Sequence, residues 1–89
     1  MPPKTMKKQK LLQKVLAGSK NIRFAEIVAL AEAVGFELQR VSGSHHIFLH
    51  ADLDEMLNLQ DVKGEAKAYQ VRQLIKLIEK HDLKLREDT

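Results

Sequence analysis

The 89-residue chain contains no cysteine, which excludes disulfides, thiolate metal centres and a cysteine nucleophile. It has no apolar run long enough to span a bilayer. Its basic N-terminus is not followed by the apolar block of a secretion signal, so a cytoplasmic protein without a membrane partner is expected. Acidic residues are missing from the first quarter. Residues 1–23 carry seven basic side chains (Lys4, Lys7, Lys8, Lys10, Lys14, Lys20 and Arg23) and no Asp or Glu. Residues 24–89 hold the other eight basic residues and all twelve acids, so the formal net charge of +3 is concentrated at one end. Clustered lysine attracts a phosphate backbone without reading its sequence. The same lysines also suit a solvated tail, and charge alone favours the tail. There is no internal repeat, no low-complexity segment and no phosphate-loop pattern around Gly43.

What is present is the material of one small α+β domain, with 44% hydrophobic residues. Met1-Pro2-Pro3 is expected to be disordered. Residues 5–17 read as a short basic helix stopped by Gly18, and Ser19-Lys20-Asn21 as a linker. Phe24, Ile27, Val28, Ala31 and Val34 recur at helical spacing and predict a helix over 24–34, with Glu26 in its first turn. Ile22 and Ile27 are placed to form a hydrophobic staple around its start. Gly35 reads as the residue that ends it. Residues 36–41 alternate as a first strand, Ser42-Gly43-Ser44 is a turn, and residues 45–50 form a second strand. Residues 56–60 read as a third strand and 61–66 as a polar loop containing Gly64. Val71, Leu74, Ile75, Leu77 and Ile78 mark a closing helix over 67–81. Residues 83–85 read as a short edge strand or a frayed end. The predicted architecture is two-layered: a three-stranded antiparallel sheet packed on helices, in the α-β-β-β-α order of the double-stranded-RNA-binding fold, with an extra basic helix in front. The expected divisions are an N-terminal extension over 1–20, a domain over 21–85 and a disordered tail over 86–89.

The segment with most chemical content is Gly43-Ser44-His45-His46-Ile47-Phe48-Leu49-His50. A tight turn delivers two adjacent histidines onto a strand, and imidazole is the side chain best able to exchange protons near neutrality. Strand alternation puts His46, Phe48 and His50 on one face and His45, Ile47 and Leu49 on the other. His46 and His50 are then roughly 6–7 Å apart by strand rise, about the span of a phosphodiester. Without further information, His46 is best read as an exposed polar residue of a half-buried sheet, and His50 as a surface histidine before a turn. A zinc site from His46, His50, Asp52 and Asp54 is disfavoured, because residues along an extended strand diverge. Ser44 lacks the partners of a serine nucleophile.

Several stretches together resemble the HicA toxins of bacterial toxin–antitoxin pairs. They are Phe24-Ala25-Glu26-Ile27 through Gly35-Phe36, then Arg40-Val41-Ser42-Gly43-Ser44-His45-His46-Ile47-Phe48, an apolar third strand and a closing helix. The likeness runs over about residues 22–83. It departs from the family pattern at Leu57-Asn58-Leu59-Gln60, where a Pro and a His are common, and at Tyr69-Gln70-Val71-Arg72, where the last helix usually opens Gly-Thr-Leu-Arg. The resemblance implies a metal-independent, cofactor-free endoribonuclease that cleaves mRNA, with a double-stranded-RNA-binding-like fold and a HicB-like antitoxin as protein partner. Carried onto this chain, it makes His46 the catalytic residue. His45, His50, Ser44 and Gly43 are accessory candidates, and Lys7, Lys8, Lys10, Lys67 and Arg72 are candidate RNA contacts. The alternative is a non-catalytic RNA-binding module on the same scaffold.

Overall fold

The computed structural model describes residues 4–18 and 21–86, with side chains from residue 8 onward. Its elements are α1 (Lys4–Leu16), α2 (Phe24–Ala33), β1 (Phe36–Ser42), β2 (His45–His50), β3 (Met56–Val62), β4 (Glu65–Ala66) and α3 (Ala68–Lys80). The strands form one antiparallel meander in the order β1-β2-β3-β4, with the helices packed on one face. This is the expected α+β arrangement with four strands instead of three. The segment expected as a polar loop closes a second hairpin, pairing Asp61 with Ala66 and Val62 with Glu65. Its two loop residues, Lys63 and Gly64, both have positive φ, 53° and 84°. A tight primed turn requires that geometry, and lysine in the first position gives no sequence sign of it. The expected disorder of Met1-Pro2-Pro3, residues 19–20 of the Ser19-Lys20-Asn21 linker and residues 87–89 of the expected 86–89 tail lie outside the described residues; Arg86, expected to be disordered, is instead tied down by its N–H, which donates to the Ala33 carbonyl at 2.7 Å. Residues 83–85 form no strand; Leu83 and Leu85 pack on the core instead.

The core lies between the sheet and the helices. Phe36, Phe48, Leu57 and Leu59 rise from the sheet to meet Ile27, Leu30 and Val34 around α2 and Val71, Leu74 and Ile78 from α3. Each such side chain contributes about 1.5–3 kcal/mol by leaving water. The staple forms: Ile22, just before the cap, and Ile27 are both buried. Arg23 caps α2 without a side-chain oxygen to offer. Glu26 compensates from the third position, accepting the Arg23 backbone N–H at 2.9 Å. α1 is an integral part of the packing. Its Val15 is buried in the same cluster, and Lys14 bridges both carboxylate oxygens of Glu26 at 3.0 and 3.1 Å.

Among the described residues, two polar side chains are buried in this core, His50 and Gln70. The expectation of His50 as a surface histidine is corrected here: the residue is 5% exposed, and its ring meets Phe36 edge-on at 5.1 Å. Its Nε2–H donates to the Val34 carbonyl at 3.0 Å, and its Nδ1 accepts the Asp52 N–H at 3.1 Å. Both nitrogens are therefore committed to backbone groups, and the ring ties the end of α2 to the end of β2. Gly35 is required beside it. Its φ is +106°, and an added Cβ would lie 2.6 Å from the His50 Nε2.

Replacing His50 by alanine opens a cavity and strands the Val34 carbonyl and the Asp52 amide. The expected loss is about 2–4 kcal/mol of stability, read by urea denaturation; a loss within experimental error would contradict this bracing role. Glu26 generates a pH prediction. The Arg23 amide, and after it Lys14, hold its carboxyl below the ordinary value of 4.5. A folded-state pKa below the unfolded one stabilises the fold above the unfolded value, and that stability is lost as pH falls through the folded one. The stability gap between wild type and Glu26→Gln is expected to stay level down to about pH 5.5 and to shrink under more acidic conditions, as measured by denaturation midpoints across pH.

Candidate active site at the start of β2

The hairpin between β1 and β2 pairs Ser42 with His45 and leaves Gly43-Ser44 as a two-residue loop. Gly43 has φ of 60°, whereas Ser44 is not among the positive-φ residues. Glycine with positive φ in the first loop position suits a type II′ turn, whose twist matches that of the flanking strands. The Asp61 N–H donates to the Ser44 carbonyl at 3.0 Å, so β3 holds the turn from the far side.

His46 sits two residues past the turn, opposite Val41 on β1 and Leu59 on β3. It lies on the helix-covered face with Phe48 and His50, at the rim where coverage ends, and is half-buried. Two contacts fix its ring. The Phe24 ring, from the first residue of α2, packs on it with centroids 4.7 Å apart and planes tilted by 59°. Its Nδ1 lies 3.2 Å from the Ser44 carbonyl, which accepts a hydrogen bond from the Nδ1–H tautomer. That tautomer leaves Nε2 as the basic nitrogen, and no hydrogen bond to Nε2 is found among the described residues. The arrangement offers one oriented proton acceptor at an accessible edge.

The sequence pattern places Phe24 only on the core stripe of α2. Its aromatic ring at the first turn of a helix was the available signal, and its partner 22 positions along the chain could not be read locally.

The other candidates fall in different places. Ser44 contributes its backbone carbonyl, and Gly43 contributes its backbone conformation. His45 is exposed on the opposite sheet face, its Nδ1 3.2 Å from the Asn58 Oδ1 across the strand pair. Lys67 caps α3 at the same end of the sheet as His46, and its Nζ lies 5.9 Å from the centre of the Tyr69 ring. Arg72 lies on the flank facing α1, where it lines a cavity of about 420 Å³ with Val15, Ile22 and Ile75. Lys8 donates to the Arg86 carbonyl at 3.2 Å, close to Gly35 and His50 and thus at the far end of β2 from His46. Lys10 is exposed on α1, and the side chain of Lys7 lies outside the described residues. The described residues contain no group of three or more His, Cys, Asp or Glu side chains placed to hold a metal ion.

Residues 24–79 match the family model described as HicA toxin of bacterial toxin-antitoxin. No match to the chain is found among the curated proteins or the solved structures. The matched stretch runs from the phenylalanine that packs on His46 almost to the end of α3, and so takes in the whole sheet and both helices that cover it. With more than half of its residues matched, the chain belongs to the HicA toxin family.

Proposed function

We propose that this toxin is an endoribonuclease of mRNA in which His46 Nε2 acts as general base. The observation that carries the reading is the 3.2 Å contact between Nδ1 and the Ser44 carbonyl: a carbonyl only accepts, so the contact favours the Nδ1–H tautomer and leaves Nε2 of this half-buried ring as the acceptor. In the proposed step Nε2 takes the proton of a ribose 2′-hydroxyl. The 2′-oxygen bonds to the adjacent phosphorus and the P–O5′ bond breaks, leaving a 2′,3′-cyclic phosphate and a 5′-hydroxyl after water protonates the leaving oxygen. The chemistry draws its nucleophile from the substrate, so the chain needs to supply only a base, a binding surface and positive charge. Lys67, at the same end of the sheet, is placed to steady the phosphate. With His50 committed to two backbone groups and His45 on the opposite face, neither ring joins His46 as a paired acid.

A toxin of a toxin–antitoxin family implies an antitoxin partner, and we propose a HicB-like protein that covers the His46 rim. None of the described helices is long and apolar enough to cross a membrane. Translated mRNA as substrate places the proposed activity in the cytoplasm.

His46→Ala is expected to fold, with a stability loss under about 1 kcal/mol because the ring is only half-buried. Its RNA cleavage in the presence of a chelator is expected to fall by at least ~10²-fold. Wild-type cleavage by the folded variant would remove His46 from the role of base. RNA binding without cleavage by the wild-type chain would point to the non-catalytic module instead.

A further inference from the structure

The chain has one tyrosine and three phenylalanines, and no tryptophan. Phe36 and Phe48 are buried, and Phe24 is half-buried against His46. Tyr69 is the exception, with 54% of its surface exposed in the first turn of α3. An aromatic ring left outside is ordinary if it is loosely attached; this one is held in place. Its hydroxyl accepts a hydrogen bond from the Gln70 Nε2 at 3.3 Å. Gln70 itself is 2% exposed, and its Oε1 accepts the Gln60 N–H at 2.7 Å. That amide points away from β2 at a position just before the β4 pairing begins at Asp61, so the glutamine takes the place of a neighbouring strand there and orients the tyrosine at once.

The same network reaches the proposed catalytic ring. The next amide along β3, that of Asp61, donates to the Ser44 carbonyl, which is also the acceptor for the His46 Nδ1–H. Tyr69 and His46 are therefore braced from consecutive residues at one end of β3. Lys67 lies over the ring, and Arg72 and Lys76 follow on α3; the nearest acids in the sequence are Glu65, four positions before Tyr69, and Asp61.

We propose that Tyr69 is a base-stacking platform for single-stranded RNA, holding the nucleobase next to the cleaved ribose. The inference rests on the endoribonuclease reading above and adds to it a residue that positions the substrate. A base is a flat π-surface with no net charge, attached to an anionic backbone. An exposed, immobilised ring beside an ammonium group presents the complementary pair: an aromatic face for the base and a cation for the phosphate. Lys67 sits 5.9 Å from the ring centre, and with 54% of the residue exposed the ring offers area for a base to stack on. Stacking is tolerant of base identity, so Tyr69 would position the substrate and contribute little choice among sequences.

Because Tyr69 is the single tyrosine in a chain without tryptophan, its emission reports on this position alone. The experiment uses the full chain carrying His46→Ala to prevent cleavage, with a short single-stranded RNA of mixed sequence as probe. Binding is followed by anisotropy of labelled RNA, and ring contact by tyrosine emission lifetime with unlabelled RNA. RNA is expected to quench the emission. Adding Tyr69→Ala is expected to weaken binding on the order of 10- to 100-fold, while Tyr69→Phe and Tyr69→Trp stay within about threefold. Thermal melts check that each variant folds. Undiminished RNA binding by Tyr69→Ala together with unchanged emission would overturn the stacking role and leave the ribonuclease reading intact. No RNA binding by the parent and no cleavage by the wild type would overturn both. Unchanged RNA affinity with lost neutralisation by a HicB protein would assign the ring to a protein contact and overturn the proposal.

Discussion

The structure depends on the register set by one two-residue turn. Gly43-Ser44 pairs Ser42 with His45, and the period of two then sends His46, Phe48 and His50 to the face that the helices cover. A slip of one residue would exchange them for His45, Ile47 and Leu49 and would expel Phe48 from the core. Phe48 locks the register, since it is fully buried opposite Leu57 on one side and Leu38 on the other. The catalytic candidate is therefore positioned by hydrophobic burial two residues away. Its place on the strand follows from the core, and its accessibility follows from where helical coverage stops.

That explains why two histidines on one strand face have opposite fates. His50 lies deep under the end of α2, where Gly35 lets the backbone approach, and its ring serves as a hydrogen-bonding brace. His46 lies at the rim beside the start of α2, where Phe24 packs against the ring and the residue stays half-exposed. Ser44 links the site to the rest of the sheet, because its carbonyl receives both the imidazole Nδ1–H and an amide from β3. The same end of β3 carries the glutamine that orients Tyr69.

Much of this was legible in the sequence, and the failures have local causes. Helical spacing of Ile27, Ala31 and Val34, and of Val71, Leu74 and Ile78, located α2 and α3; alternation around Gly43 located the first hairpin. The fourth strand escaped because a lysine occupies a left-handed turn position that asparagine or glycine normally announces. The face shared by His46 and His50 was readable, but not its coverage, because His-His-Ile-Phe-Leu-His offers apolar residues to both sides. The Val34 carbonyl that meets His50 and the Phe24 ring that packs on His46 sit 16 and 22 positions upstream, beyond any local pattern. The first helix gave a weak apolar stripe, and only packing shows that Val15 joins the core and Lys14 secures the start of α2. The lysines of that helix illustrate the limit of counting charge. Lys14 and Lys8 are engaged with Glu26 and the Arg86 carbonyl, while Lys67, a cation at the same end of the sheet as the candidate site, comes from the cap of α3.

The claim that one imidazole drives attack by the RNA's own 2′-hydroxyl is tested most directly by the ends of the cut RNA. Wild-type protein acting on RNA in a chelator is expected to leave 5′-hydroxyl ends and 2′,3′-cyclic phosphates. Products carrying 5′-phosphates and 3′-hydroxyls would show that an external nucleophile attacks phosphorus, and would contradict the account.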